Sequence, residues 1–287
     1  MASGAKLRSR SPFLQAVRGM SVSGWIGFSI LVVFTLLALL GPLLAPYSPT
    51  AQNLDGAFQA PSAAHWLGTD EQGTDLLSML LHGARIAAII SGSVIAINVL
   101  VGVSLGVIAG ALGGWVEELI MRVIDVLLAF PGLLLNLAIV AVVKKPGVGH
   151  LVFALCINGW VGYARMARGQ VLALRNREFV EAARAIGVSR LGIMRRHLLP
   201  NITSPIIVQA TLGFANVILI ESALSFLGFG AQMPYSWGAL LDQGQTYLWL
   251  STRYVLAPGI AIAVVVLGFN LLGDGLRDRL DPKRQNS

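Results

Sequence analysis

Charge is what this chain has least of: only 12% of its 287 residues are Asp, Glu, Lys or Arg, against about a quarter in an ordinary soluble domain. With 55% hydrophobic residues and a mean hydropathy of +0.72, its apolar stretches are too extensive for a water-soluble core. It has one cysteine, Cys156, which excludes an intrachain disulfide and, set in a hydrophobic run, reads as a small packing residue. Its four histidines, His65, His82, His150 and His197, lie far apart with no H-E-x-x-H pair, which argues against a zinc protease. The dispersed serines are read as no nucleophile elbow. The absence of G-x-x-x-x-G-K-[ST] means that any nucleotide hydrolysis must take place on another chain. No metal site and no catalytic residue are expected, and the reading is a non-enzyme.

What the chain does have is a series of uncharged runs. Lys6, Arg8, Arg10 and Arg18 precede an apolar stretch and imitate a signal peptide, but residues 25–45 hold 21 uncharged residues and no A-x-A site follows. A signal h-region has roughly 7 to 15, so a retained first helix is expected. Residues 86–116 supply a second span ending in a turn at Gly113-Gly114. A third covers 119–143, with a kink at Phe130-Pro131-Gly132 because proline removes a helix hydrogen bond. The fourth is the shortest, with 14 residues between His150 and Arg165, and its end should project onward as helix. Residues 204–229 and 254–273 make the fifth and sixth.

The basic residues cluster between these runs, the pattern of membrane orientation and not of nucleic-acid binding. With both termini inside, 17 of the 21 Lys and Arg residues face the cytoplasm; the other four, Arg85, Lys144, Lys145 and Arg253, sit at outer edges. The acidic stretch with Asp55, Asp70, Glu71 and Asp75 is then outside. Backbone in lipid must satisfy its own hydrogen bonds, so the fold is all-α: a polytopic membrane protein with six transmembrane helices, N-in and C-in. The expected division is a cytoplasmic tail 1–24, a first helix 25–45, an external loop 46–84, a five-helix core 85–274 and a cytoplasmic tail 275–287. Within the core lies a cytoplasmic loop, 174–203.

Residues 165–197, which run into that loop, carry eight arginines against Glu178 and Glu181. The loop reads as helix, turn, helix. Phe179, Ala183 and Ile186 share one face, Gly187 permits the turn, and Ser189 can cap a second helix. Leu191, Met194 and Leu198 then continue an apolar stripe until Pro200. Such an amphipathic pair suits docking into a partner's groove. The bland alternative is a solvated basic loop that merely fixes orientation, or one lying on anionic lipid.

Glu181-Ala182-Ala183, three residues, Gly187, nine residues, then His197-Leu198-Leu199-Pro200 resembles the EAA motif of binding-protein-dependent ABC importer permeases. The resemblance implies that this loop is the coupling helix that inserts into a cleft on a cytoplasmic ATPase, with Glu178, Glu181, Ala182, Ala183, Gly187, Ser189, Arg190, His197 and Pro200 as coupling residues. The stretch His65-Trp66-Leu67-Gly68-Thr69-Asp70-x-x-Gly73-Thr74-Asp75 resembles the outer-loop signature of the dipeptide, oligopeptide and nickel branch, in Gly68, Thr69, Asp70, Gly73 and Asp75. Glu221-Ser-Ala-Leu-Ser-Phe-Leu-Gly228-Phe-Gly230 resembles the fifth-helix signature of that branch. The chain is similar to the shorter of its two paired permeases, with one helix ahead of a five-helix core. Thr74 departs from the pattern, standing where the family usually has arginine.

The resemblance implies a second related permease, two ATPase subunits that hold the ATP and Mg, an external solute-binding protein, and a bacterial or archaeal plasma membrane. No cofactor is expected in this chain. Peptide is the expected solute, with nickel or another small solute as the alternative and an ion-driven secondary transporter as the runner-up. An intramembrane charge costs at least about 2.5 kcal/mol, so Glu221, with Asn216, is expected on the translocation path or at the contact between permeases, or else as a structural hydrogen-bonding group. Arg122 and Asp125 read as a local ion pair. Asn98, Asn136, Asn158, Asn216 and Asn270 read as links between helices, and Gly102, Gly106 and Gly110 as a close-packing seam.

Overall fold

A computed structural model describes residues 21–143, 147–231, 233 and 235–280. Lys144, Lys145, Lys283, Arg284 and the tail before residue 21, all used in the topology argument, lie outside the described residues. Among the described residues the chain is helical, with one isolated antiparallel bridge between Thr69 and Asp75.

Helix α1, Val22–Leu44, starts where the Ser21 hydroxyl accepts the amide of Gly24. Helix α2, Leu76–Leu112, is 37 residues long, or about 55 Å at 1.5 Å per residue, well beyond the roughly 30 Å of a bilayer's hydrocarbon. It begins ten residues before the expected span because Asp75 caps it, accepting the amide of Ser78 at 2.8 Å. The apolar run is therefore only part of a longer helix that stands proud of it. The chain turns at Gly113 and Gly114, both at positive φ, into α3, Gly114–Leu128. Helix α4, Gly132–Ala141, follows at 81° to α3, so the proline kink expected at 130–132 is a full break.

Helix α5, Val148–Leu174, carries the short fourth apolar run onward for three turns. Its glycine seam is the one expected: a Cβ on Gly102 would lie 2.4 Å from the Trp160 carbonyl oxygen, and one on Gly106 2.3 Å from that of Ala164. Only glycine lets the two backbones approach so closely. An ion pair pins α5 to α3, Arg168 Nε donating to Glu117 Oε1 at 2.6 Å. Arg122 reaches Glu118, one turn back, at 3.6 Å and not Asp125.

After the short helices α6 to α8, described below, α9 runs Thr203–Phe226, α10 Trp237–Thr246 and α11 Thr252–Leu280. Helix α10 has no counterpart in the sequence reading. It folds back on the structure, Trp237 donating its indole N–H to the Leu80 carbonyl at 3.0 Å and Gly238 lying against the Ser222 backbone. Helices α1 and α11 meet through Gly24, Gly27, Gly268 and Gly275. One core gathers α2, α5 and α9; a second gathers α1, α2, α10 and α11. By length and composition α1, α2, α9 and α11 can each cross a membrane, and the bent pair α3–α4 can make a fifth crossing.

Candidate functional site

The segment between α5 and α9 is built as helix, turn, helix. Helix α6 is Glu178–Ala185 and α7 Arg190–Ile193; a π turn, Met194–Leu198, leads into α8, Leu199–Asn201. Gly187 has φ +82°, and the amides of Gly187 and Val188 donate to the carbonyls of Arg184 and Ala183 at 3.0 Å each. This is a Schellman ending, whose left-handed residue is normally glycine. Ser189 then caps α7 by accepting the amide of Gly192 at 3.2 Å. Pro200 has no N–H to offer back along the helix, and the preceding turn widens to the π form. Asn201 Nδ2 closes it on the His197 carbonyl at 2.6 Å.

The buried face differs from the one expected. Val180 and Ala183, 0% and 4% exposed, pack with Val171, Ile193 and Leu198 into the core of the helix bundle. Phe179, Ile186 and Leu191 are 41%, 81% and 62% exposed. The i, i+4, i+7 spacing of Phe179, Ala183 and Ile186 suggests a single apolar stripe, yet rotation of the helix by one position puts Val180 inward and turns the larger side chains out. Glu178, Glu181, Ala182, Gly187, Ser189, Arg190 and Pro200 are also exposed, and His197 is half-buried with its ring 6.4 Å from that of Phe179. The segment thus has two surfaces: one holds it on the bundle, the other offers apolar side chains among exposed arginines. Arg175 ties its root to the end of α2, donating to the Gly110 carbonyl at 3.2 Å.

At the start of α2 the predicted outer-loop residues come together as the frame of a compact loop. The Thr69 hydroxyl donates to the Gly56 carbonyl at 2.6 Å and accepts the Gln59 amide at 2.8 Å. Asp70 accepts the amides of Thr74 and Gln72 at 2.6 and 2.9 Å. Burial nevertheless raises its carboxyl above the ordinary 3.8, outweighing those two bonds. Asp75 serves Ser78 with one oxygen and His65 Nδ1 with the other, at 2.9 Å. Gly68 and Gly73 sit at positive φ, and a Cβ on Gly73 would fall 1.8 Å from the Asn53 carbonyl oxygen. Thr74 is itself buried, its carbonyl accepting the Asp70 amide at 3.0 Å.

Glu221 is 3% exposed on α9. The Ser225 hydroxyl donates to its Oε1 at 2.8 Å, and Ser222 approaches Oε2 at 3.5 Å. Both donors belong to its own helix, and Gly238 of α10 lies against the Ser222 backbone beside it. Asn216 lies on the exposed side of α9. Asn158 links helices as expected, Nδ2 donating to the Gly132 carbonyl at 3.3 Å, whereas the buried Oδ1 atoms of Asn98 and Asn136 have no partner. Residues 102–106 do spell G-x-S-x-G, contrary to the reading of dispersed serines, but they lie inside continuous helix α2 without the strand-to-helix turn that an elbow needs. Among the described residues no group of three His, Cys, Asp or Glu side chains could hold a metal.

Comparison with known proteins agrees with this architecture. Residues 102–286 match the family described as the binding-protein-dependent transport system inner membrane component, and residues 22–61 match the N-terminal TM domain of oligopeptide transport permease C. The dipeptide transport system permease protein DppC of Alkalihalophilus pseudofirmus is 42% identical over 262 residues, 91% of this chain and 86% of that protein. The di/tripeptide permease DppC of Pseudomonas aeruginosa is 43% identical over 92% of this chain and 88% of its own. The glutathione permease GsiD of Pectobacterium atrosepticum is 39% identical, over 90% and 85%. Among solved structures, an inward-facing MetNI methionine ABC transporter chain superposes with a TM-score of 0.58 at 16% identity, covering 71% of this chain and 97% of that one. That likeness is one of fold.

Proposed function

Because the chain belongs to the binding-protein-dependent transport system inner membrane component family, a family of non-enzymatic permease subunits, we propose that it carries di- or oligopeptides across the bacterial or archaeal plasma membrane. ATP is bound with Mg and hydrolysed on two partner subunits, a second related permease completes the path, and a solute-binding protein delivers cargo to the loop that contains Asp70. The peptide assignment draws on the names of relatives that align with this chain over most of their length.

The observation that carries the coupling role is the two-faced segment 178–200. Its Val180 and Ala183 face grips the bundle, so a push on the exposed Phe179, Ile186 and Leu191 is transmitted to α5 and α9. Ala183 therefore acts as an anchor within the segment, while Glu178, Glu181, Ala182, Gly187, Ser189, Arg190 and the neighbourhood of His197 and Pro200 form or shape the surface offered to the ATPase. Gly187 sets the angle between the two helices. A Cβ there meets nothing within 4 Å, so Gly187→Val strains the backbone alone, by about 1 to 2 kcal/mol. The expected result is a chain that still inserts and assembles its bundle but loses peptide-stimulated ATPase activity in the reconstituted complex. Gly187→Asn, which tolerates the left-handed region, should retain more. Normal stimulated activity in Gly187→Val would overturn the coupling role.

A further inference from the structure

One recess inside the bundle is too polar for its place. It opens between α2, α4, α5 and α9, holds about 320 Å³, and is lined by Asn98, Asn136, Asn158, Gln209, Asn216 and Tyr163. Five amides and a phenol converge there, and none of its lining side chains is ionisable at neutral pH. Amides between membrane helices ordinarily bond across the interface. Only Asn158 is seen to do so, and Tyr163 spends its hydroxyl on the Gln209 carbonyl at 3.4 Å. Gln209 and Asn216 are exposed, whereas Asn98 and Asn136 are 2% and 1% exposed, so polarity persists from the open side to the buried one.

The Oδ1 atoms of Asn98 and Asn136 accept no hydrogen bond. Leaving a buried acceptor unmet costs about 1 to 3 kcal/mol, and both belong to the same recess. The packing does not relieve it: a Cβ on Gly159 would meet the Asn98 amide at 2.2 Å, so that side chain is pressed against the α5 backbone. Gly162, by contrast, faces only Gln209 Nε2, 3.5 Å from where its Cβ would be, which leaves backbone open to a guest.

We infer that this recess is a binding station for the peptide bond of the transported solute, in which the buried Oδ1 of Asn98 or Asn136 turns into the recess to accept the amide N–H while neighbouring amides donate to the carbonyl. The assignment rests on the peptide-transport reading. An amide is donor and acceptor at once and carries no charge, so it matches a peptide group and discriminates poorly among side chains. No charged side chain lines the recess, so the charged termini of a peptide gain no ion pair from it. A volume of about 320 Å³ lies at the lower end of small-molecule pockets, which favours one peptide unit at a time.

The test uses the complete transporter in proteoliposomes, with dialanine and its analogue methylated on the peptide nitrogen as probes. In a Cys156→Ser background, Ile220→Cys puts one thiol on the recess wall, and its alkylation by a maleimide is timed. At ten times its dissociation constant, dialanine should slow alkylation about tenfold, and the methylated analogue, which lacks the N–H, less than about twofold. Asn136→Leu should raise the dialanine concentration needed for half-protection roughly three- to tenfold, the worth of one neutral hydrogen bond. Should that variant not assemble, the peptide pair on Ile220→Cys decides alone. Equal protection by both peptides, or protection by neither in a complex that still takes up dialanine with ATP, overturns the station and leaves the transport reading standing. Lack of ATP-driven dialanine uptake by the unsubstituted complex overturns the transport reading and the station with it.

Discussion

Asp70 combines two opposed influences within a few ångströms. Burial penalises its charge, while the amides of Thr74 and Gln72 reward an acceptor at the same place, and burial wins. A carboxyl raised in the folded loop binds its proton more tightly there than in the unfolded chain. Its contribution is therefore fully present below the ordinary value of 3.8 and is lost as pH rises through the raised one. Asn offers the same carbonyl oxygen without a charge to bury. Asp70→Asn should leave the loop as stable at neutral pH as the native residue or more so, and should remove the pH dependence between those two values. Asp70→Ala should loosen the loop by about 1 to 3 kcal/mol through two unmet amides. Hydrogen exchange of residues 68–76 at two pH values distinguishes the three, and a loop in Asp70→Asn that keeps the native pH slope would refute the assignment.

At the level of elements, glycine placement divides packing from permission. Gly106 faces the Ala164 carbonyl oxygen across the α2–α5 seam, whereas Gly92, on the same helix, has nothing within 4 Å of its Cβ position. Gly106→Ala should force the helices apart and lower the detergent melting temperature of the chain, by an amount typical of overpacking, about 1 to 3 kcal/mol. Gly92→Ala should be neutral or slightly stabilising, because alanine is the better helix former by roughly 1 kcal/mol. Equal melting temperatures for the two variants would remove the seam from the account of the fold. This seam was legible in the sequence because a four-residue repeat of glycines in an apolar run has one physical use. The break at Pro131 and the turn at Gly187 were legible for the same reason: each is a residue whose backbone chemistry dictates a local shape. Helix α10 was not, since its ten residues mix Trp, Leu, Gly, Asp and Gln with no run long enough to signal a span. The inward face of α6 was misjudged because eight residues allow two registers, and only the bundle decides between Val180 and Phe179. The recess was the least legible of all. Its asparagines are scattered over more than a hundred positions and gain meaning only when α2, α4, α5 and α9 bring them together.

For the whole molecule, surface composition and charge placement bear on how the bundle sits in a bilayer. Large apolar side chains such as Leu39, Leu43, Leu100 and Leu267 stand exposed on α1, α2 and α11, the surface a bilayer covers. We propose that helix α5 makes a further crossing: its 27 residues are long enough to span, although His150, Asn158, Arg165 and Arg168 lower its hydropathy. Counting it with α1, α2, the α3–α4 pair, α9 and α11 gives six crossings, an even number that returns the chain to the side where it began. On that proposal, the concentration of Lys and Arg in residues 165–197 and in both terminal tails would put that side in the cytoplasm. The proposed arrangement sets the loop containing Asp70 and the segment containing Arg190 on opposite faces. Single cysteines at residues 70 and 190, in a Cys156→Ser background, should react differently with a membrane-impermeant maleimide in intact cells: the first labelled, the second only after permeabilisation. Labelling of both from outside would break the six-crossing arrangement and, with it, the separation of delivery from drive on which ATP-powered import through this chain depends.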